Sequence, residues 1–185
     1  MINCEMLHIY NVYYFIDKFD RDEIIHLNKN INIIYRNYQE TINKKLLIEI
    51  KNICKQKKTK FYLANDLEFA IKLDLDGVYI PSFNQKLIKK YTHKKNFEIL
   101  GSAHNQREIH IKEKQGVDKI FLSPVFMVKK RKNFLGVTKF NLLRKYTKKK
   151  VIALGGINEK NINQIKLLNC SGFASISYLK GRTKY

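Results

Sequence analysis

Several residues along this chain share one chemical aptitude, the handling of phosphate. The stretch 150–158, KVIALGGIN, ends a β-branched apolar run in Gly155 and Gly156. A buried strand that stops at two glycines and turns into a helix offers backbone N–H groups that a phosphate can approach closely. Taken alone, the pair equally suits a tight strand-to-helix turn. Arg36 carries a planar fork able to clamp a phosphate through two bonds, and its other reading is a surface ion pair. Asp66, preceded by Asn65, supplies a carboxylate of the kind Mg2+ takes together with phosphate oxygens. It is also a good helix N-cap. Ser102 and His104 add a hydroxyl and an imidazole, which otherwise bond their own loop or cap a turn. A basic loop at 129–132 and Ser177 complete the set.

These residues act together only if the fold gathers them. Strand-like runs fall at 12–19, 31–38, 59–65, 77–81, 97–103, 117–123, 151–154 and 172–177. Helix-like segments separate them, at 21–30 (short), 41–57, 67–73, 85–91, 106–115, 138–146 and 159–168. In 41–57, Leu46, Leu47, Ile50, Ile53 and Cys54 lie on one helical face. A polar stretch, 127–133, reads as a mobile loop. Apolar strands alternating with helices indicate a parallel sheet buried on both faces. Eight such units predict a compact closed (β/α)8 TIM barrel with an abbreviated first βα unit. A doubly wound open sheet is the alternative, but no GxGxxG follows the first strand. In a barrel, active sites lie at the C-terminal ends of the strands. All the residues named above fall there.

The length suits a single domain over 1–185. No apolar run is long enough for a membrane span. The first residues read as a strand and not as a signal peptide. Cys4, Cys54 and Cys170 are scattered, so neither a zinc site nor a disulfide framework is indicated, and a cytoplasmic location is expected. Lys and Arg total 36 against 16 Asp and Glu, a net charge of +20. Such a charge invites a nucleic-acid reading. The lysines are dispersed over helices without a binding motif, so solvated helix faces are the preferred reading. A positive field attracts phosphorylated substrates in either case.

The segments LANDLEFAIKLDLDGVYI, ILGSAHNQREI, GVDKIFLSPVF and VIALGGINEKNI, in this order and spacing, resemble the thiamine phosphate synthase/TenI family of small TIM barrels. The resemblance runs from 31 to 179. It implies condensation of an aminopyrimidine-methyl diphosphate with a thiazole phosphate, giving thiamine phosphate and pyrophosphate, with Mg2+ at the diphosphate. It implies a diphosphate role for Arg36 and a metal role for Asp66 beside Asn65. Ser102, of a Ser-Ala-His motif with His104, would lie near the pyrimidine. Gly156, with Gly155, and Ser177 would take the thiazole phosphate. The chain departs from the family pattern at four places. Tyr38 stands where the family has lysine, Ile34 where it has glutamine, Asn84 where it has a second metal carboxylate, and Tyr79 where it has histidine. The Thr-rich loop ending in lysine has become MVKKRKN, in which Arg131 or a neighbouring lysine substitutes. Pro124 occupies the position of the TenI tautomerase histidine, as in synthases. The expected function is therefore a synthase-type transferase, with a non-catalytic or repurposed binder of a thiazole or pyrimidine phosphate as the alternative. A nucleic-acid-binding protein is a third reading, supported by charge alone.

Overall fold

The computed structural model describes residues 9–39, 41, 43–88, 96–128 and 133–180. Eight parallel strands close into a barrel in chain order, the last pairing with the first. They are β1 Asn11–Ile16, β2 Ile31–Tyr35, β3 Phe61–Ala64, β4 Gly77–Ile80, β5 Glu98–Ala103, β6 Lys119–Leu122, β7 Lys150–Leu154 and β8 Gly172–Ser175. Five α-helices surround them among the described residues: α1 Arg21–His26, α2 Lys44–Lys57, α3 Leu67–Lys72, α4 Gln106–Lys114 and α5 Gly136–Arg144. The β1–β8 pairing excludes the open-sheet alternative. The first βα unit is short as expected, since α1 has six residues.

Alternation along each strand divides the core in two. Tyr13, Phe15, Tyr62, Tyr79, Phe121 and Ile152 belong to a cluster that fills the barrel interior. Val12, Ile33, Leu63, Val78, Ile120 and Val151 face outward to the helices. Covering both faces is what makes the strands read as continuous apolar runs.

The lower, N-terminal end of the barrel is closed by a polar cluster. Lys119 Nζ donates to Glu98 Oε1 at 3.0 Å and to the Tyr13 hydroxyl at 3.0 Å. Lys60 Nζ reaches the same Glu98 oxygen at 3.1 Å, and the Tyr62 hydroxyl donates to Glu98 Oε2. Burial pushes the Glu98 carboxyl up, but the Tyr62 hydroxyl and the Lys119 ammonium outweigh it and hold the group below the usual carboxylate range.

Two expected helices differ. No helix forms over 85–88, and the rest of the expected segment, 89–91, lies outside the described residues. The carbonyls of Asn84 and Lys86 are taken by side chains of α4 and its C-cap. Asn84 Oδ1 accepts from the Lys86 amide at 3.1 Å, a local turn that competes with helix. The expected helix 159–168 is instead a 3-10 segment, Ile162–Leu167. The asparagines that would cap an α-helix are used elsewhere. Asn161 Nδ2 donates to the Gly156 carbonyl at 2.8 Å, and Asn161 Oδ1 accepts from the Asn158 amide at 2.8 Å. Helix α5 starts two residues earlier than expected. Its entry is tied to the loop after β6, with Leu135 N donating to Pro124 O and Gly136 N to Val125 O, both at 2.9 Å.

Candidate active site

The strand ends bring most of the expected residues to one mouth. Arg36 follows β2 directly, and its amide donates to Ile16 O at 2.7 Å, which fixes its backbone against the end of β1. Its guanidinium carbon sits 4.9 Å from the Phe15 ring centroid, within cation–π range. The side chain is half-buried and makes no ion pair with a carboxylate among the described residues. A partly desolvated cation with no carboxylate partner among the described residues is suited to an anionic ligand.

Beneath it lies an aromatic floor. The Phe15 and Tyr79 rings meet edge to face at 5.0 Å, and Tyr79 and Phe121 at 5.5 Å. Ser102, buried near the end of β5, lies beside the Tyr79 phenol. Burial pushes the Tyr79 phenol up, while Ser102 and the Arg36 charge pull the other way. A neutral phenol, a serine hydroxyl and a cation thus share the top of the barrel core. Sequence reading noted Tyr79 only as a departure from the family pattern. Its inward-facing place among alternate aromatics was the signal for this role.

Asn65 and Asp66 follow β3. Asn65 adopts a left-handed backbone, φ 64°, and its Oδ1 accepts from Asn84 Nδ2 at 2.8 Å. Asp66 caps α3, with Oδ1 accepting from the Phe69 amide at 2.9 Å. The N-cap role anticipated for Asp66 is therefore real, and it uses one carboxylate oxygen. Asn65, Asp66, Asn84 and Lys86 help line a cavity of about 400 Å3. Tyr38, exposed past β2, packs edge to face on Phe83 at 5.6 Å, so an aromatic contact occupies the place of the family's lysine.

No group of three or more metal-binding side chains occurs among the described residues. One carboxylate flanked by amides nevertheless fits Mg2+, which is usually held through one or two carboxylates plus substrate phosphates. Asp66 is the residue that would hold it. Asn84 contributes little, because its amide nitrogen is turned to Asn65 and its oxygen to Lys86.

His104 is tied to α4. Its backbone amide and Nδ1 both meet Glu108 Oε2 at 2.8 Å, and Asn105 caps the helix through the Glu108 amide at 3.0 Å. The capping reading of His104 holds in this sense. Its ring also lines a second cavity, of about 670 Å3, with Ser123, Pro124, Asn133 and Lys139. Neither cavity includes Arg36, Ser102 or the glycine pair, so the site residues are divided between the central mouth and two flanking hollows.

The third part is the end of β7. Gly155 and Gly156 have φ of 94° and 74°. A Cβ on Gly156 would fall 2.4 Å from Phe126 O. The glycines let the loop after β6 cross this turn, where Val125 N donates to Leu154 O and Phe126 N to Gly155 O. Ser175, which sequence reading missed, joins this turn to the end of β8. Its hydroxyl donates to Ile157 O at 3.2 Å and accepts from the Tyr178 amide at 3.1 Å. Ser177, exposed, sits in that second turn. Arg131 and the rest of 129–132 lie outside the described residues.

The comparisons with known proteins agree with this fold. Residues 27–179 match the family model described as thiamine monophosphate synthase. A thiamine-phosphate synthase of Pelagibacter ubique is 31% identical over 153 residues, covering 80% of this chain and 73% of that protein. One of Prochlorococcus marinus subsp. pastoris is 33% identical over 157 residues, covering 80% of this chain and 44% of its own length. The chain spans less than half the length of that relative and of a second Prochlorococcus one, 47%. Among solved structures, a thiamine phosphate pyrophosphorylase from Pyrococcus furiosus superposes with a TM-score of 0.76 at 19% identity, covering 95% of this chain and 88% of the other, a likeness of fold. Matched across most of its length by the family model, the chain belongs to the thiamine monophosphate synthase family.

Proposed function

We propose that this chain is a transferase that condenses an aminopyrimidine-methyl diphosphate with a thiazole phosphate, giving thiamine phosphate and pyrophosphate. The observation that carries the reading is Arg36, a half-buried guanidinium without a carboxylate partner among the described residues, at the strand ends of a barrel of this family. The bond between the pyrimidine methylene and the diphosphate oxygen breaks, and its electron pair leaves with pyrophosphate. The lone pair of the thiazole nitrogen forms the new C–N bond. Such a reaction asks the protein for positioning and charge neutralisation more than for a strong base.

In this reading Arg36 binds the departing diphosphate and offsets its growing charge. Asn65 and Asp66 flank it, with Asp66 as the magnesium ligand. When bound there, Mg2+ supplies further neutralisation of the diphosphate. Ser102, beside Tyr79, holds the pyrimidine next to the aromatic floor. His104 borders the same substrate. Gly155, Gly156 and Ser177 take the thiazole phosphate at the end of the site held together by Ser175. Arg131 is assigned the charge that the family's loop lysine carries. The functional unit is one barrel domain over 1–185, acting in the cytoplasm on small phosphorylated substrates without membrane or nucleic-acid partners. No described helix is long and apolar enough to cross a membrane.

A second reading is a binder of these phosphates without turnover. The contact that favours it is Asn84 Nδ2 on Asn65 Oδ1, an amide donor where the family places a metal carboxylate. Incubating the full chain with both phosphorylated precursors and magnesium separates the two. The expected result is thiamine phosphate and pyrophosphate in equal amounts. No thiamine phosphate above the enzyme-free control refutes the transferase reading.

A further inference from the structure

We propose that Lys112 and Gln115, three residues apart on and just after α4, are positioning residues that clamp the segment following β4 and so set Asn84 against Asn65 at the diphosphate end of the site. The functional half of this inference rests on the reading of that end given above.

Lys112 belongs to a helix whose neighbouring lysine, Lys114, faces solvent, yet Lys112 itself is fully buried. Its path is built into the barrel. A Cβ on Gly101 would lie 2.9 Å from Lys112 Cδ, so glycine in β5 leaves room for the stem. The ammonium has three donors and three acceptors, each at 2.8 Å: Pro81 O, Asn84 O and Gln115 Oε1. All three are neutral oxygens. Gln115, also buried, accepts from Lys112 and donates through Nε2 to Asn84 O at 3.0 Å and Lys86 O at 2.7 Å. Two side chains therefore satisfy three carbonyls of a segment that has no helix to satisfy them over 85–88.

Burial draws the Lys112 ammonium down to about 8, with the Glu108 charge pulling the other way. Desolvating a cation in this way is costly unless its hydrogen bonds are made. Here two of the three bonds go to one segment, at Pro81 and Asn84, and the third goes to Gln115, which holds the same segment at Asn84 and Lys86. From Asn84 the chain of contacts runs to Asn65, which holds a left-handed backbone directly before Asp66. A helix on the outside of the barrel thereby fixes a side chain at its mouth. Supporting partners of metal ligands typically alter metal affinity or activity about 10- to 100-fold when removed.

The test uses the full chain and the substitutions Lys112→Met and Gln115→Leu. Two quantities are measured: amide hydrogen exchange across 83–88, and calorimetric affinity for inorganic pyrophosphate in magnesium, with thiazole phosphate as the control for the far end. Lys112→Met is expected to speed exchange over 83–88 and to weaken pyrophosphate about 10-fold, leaving thiazole phosphate within about twofold. Gln115→Leu shifts both in the same direction by less, and carries the test if Lys112→Met fails to fold. Faster exchange with unchanged pyrophosphate affinity overturns the positioning role, because a merely structural clamp gives that result. Unchanged exchange overturns the clamp itself. If the wild type binds no pyrophosphate, the diphosphate reading of the site fails, and the clamp is then decided by exchange alone.

Discussion

Gly156→Ala is the substitution whose cost the structure specifies most closely. The residue has φ 74°, where an L side chain costs about 1–2 kcal/mol. The added methyl would also stand 2.4 Å from Phe126 O and 2.6 Å from Met127 O. Both are backbone atoms, so no flexible side chain can yield, and the loop after β6 must shift. Overpacking of this kind costs about 1–3 kcal/mol. Together the two effects amount to about 2–5 kcal/mol. Gly116 supplies the control. It has nearly the same φ, 75°, but a Cβ there would meet nothing within 4 Å. Gly116→Ala should therefore cost only the backbone part, about 1–2 kcal/mol. Urea denaturation of both variants, compared through their midpoints at equal slope, isolates the loop contact as the difference between them. Equal losses in the two variants would refute the claim that the glycine pair is required by the crossing of 124–127.

Arg36→Gln should cost stability no more than the Phe15 contact, about 0.5–1 kcal/mol, because no ion pair with a described carboxylate is lost, and should weaken pyrophosphate by about 10- to 150-fold, the equivalent of about 1.5–3 kcal/mol for a charged hydrogen-bonding group. A calorimetric change below about threefold would count against its anion role. Asp66→Asn keeps the α3 cap, since both residues cap well, but removes the carboxylate. Its thermal midpoint should match wild type while the magnesium needed for half-maximal turnover rises. Asp66→Ala should in addition lose about 1 kcal/mol. An unchanged magnesium requirement in Asp66→Asn would remove the metal assignment. Glu98→Gln should cost about 1.5–3 kcal/mol at neutral pH. The folded carboxyl lies below its unfolded value, so this contribution is present above about pH 4.3 and disappears as pH falls through the folded value. Urea midpoints from pH 7 to pH 3 should show the gap between wild type and variant closing in acid, and a gap that stays constant would contradict the assignment.

The strands were legible because each carries apolar residues on both faces. Val12 to Ile16 and Val151 to Leu154 have nothing to present to water. Arg36, Asn65, Asp66 and Ser102 were legible because they stand where such runs stop. What stayed hidden depends on contacts between residues far apart in the chain. A lysine in a helix reads as solvated, and nothing local marks Lys112 as one that turns inward past Gly101. The segment at 85–88 has helical composition, yet its carbonyls are claimed from α4. In the stretch after β7 the periodicity of a helix is present, but Asn158 and Asn161 bind the glycine turn and leave a 3-10 segment. The approach of Ser102 to Tyr79 crosses adjacent strands whose register sequence alone does not give.

The closed lower end of the barrel has a consequence for traffic. Glu98, Lys119, Lys60, Tyr13 and Tyr62 seal that end, and Phe15, Tyr79 and Phe121 fill the space above them. Whatever enters the barrel must leave by the doorway it came through. For a reaction with two substrates and two products this forbids a through-flow. Departure becomes a queue, in which a product lingering at Arg36 bars the next molecule from loading. In the transferase reading, pyrophosphate held at Arg36 then competes with the incoming diphosphate for the same mouth.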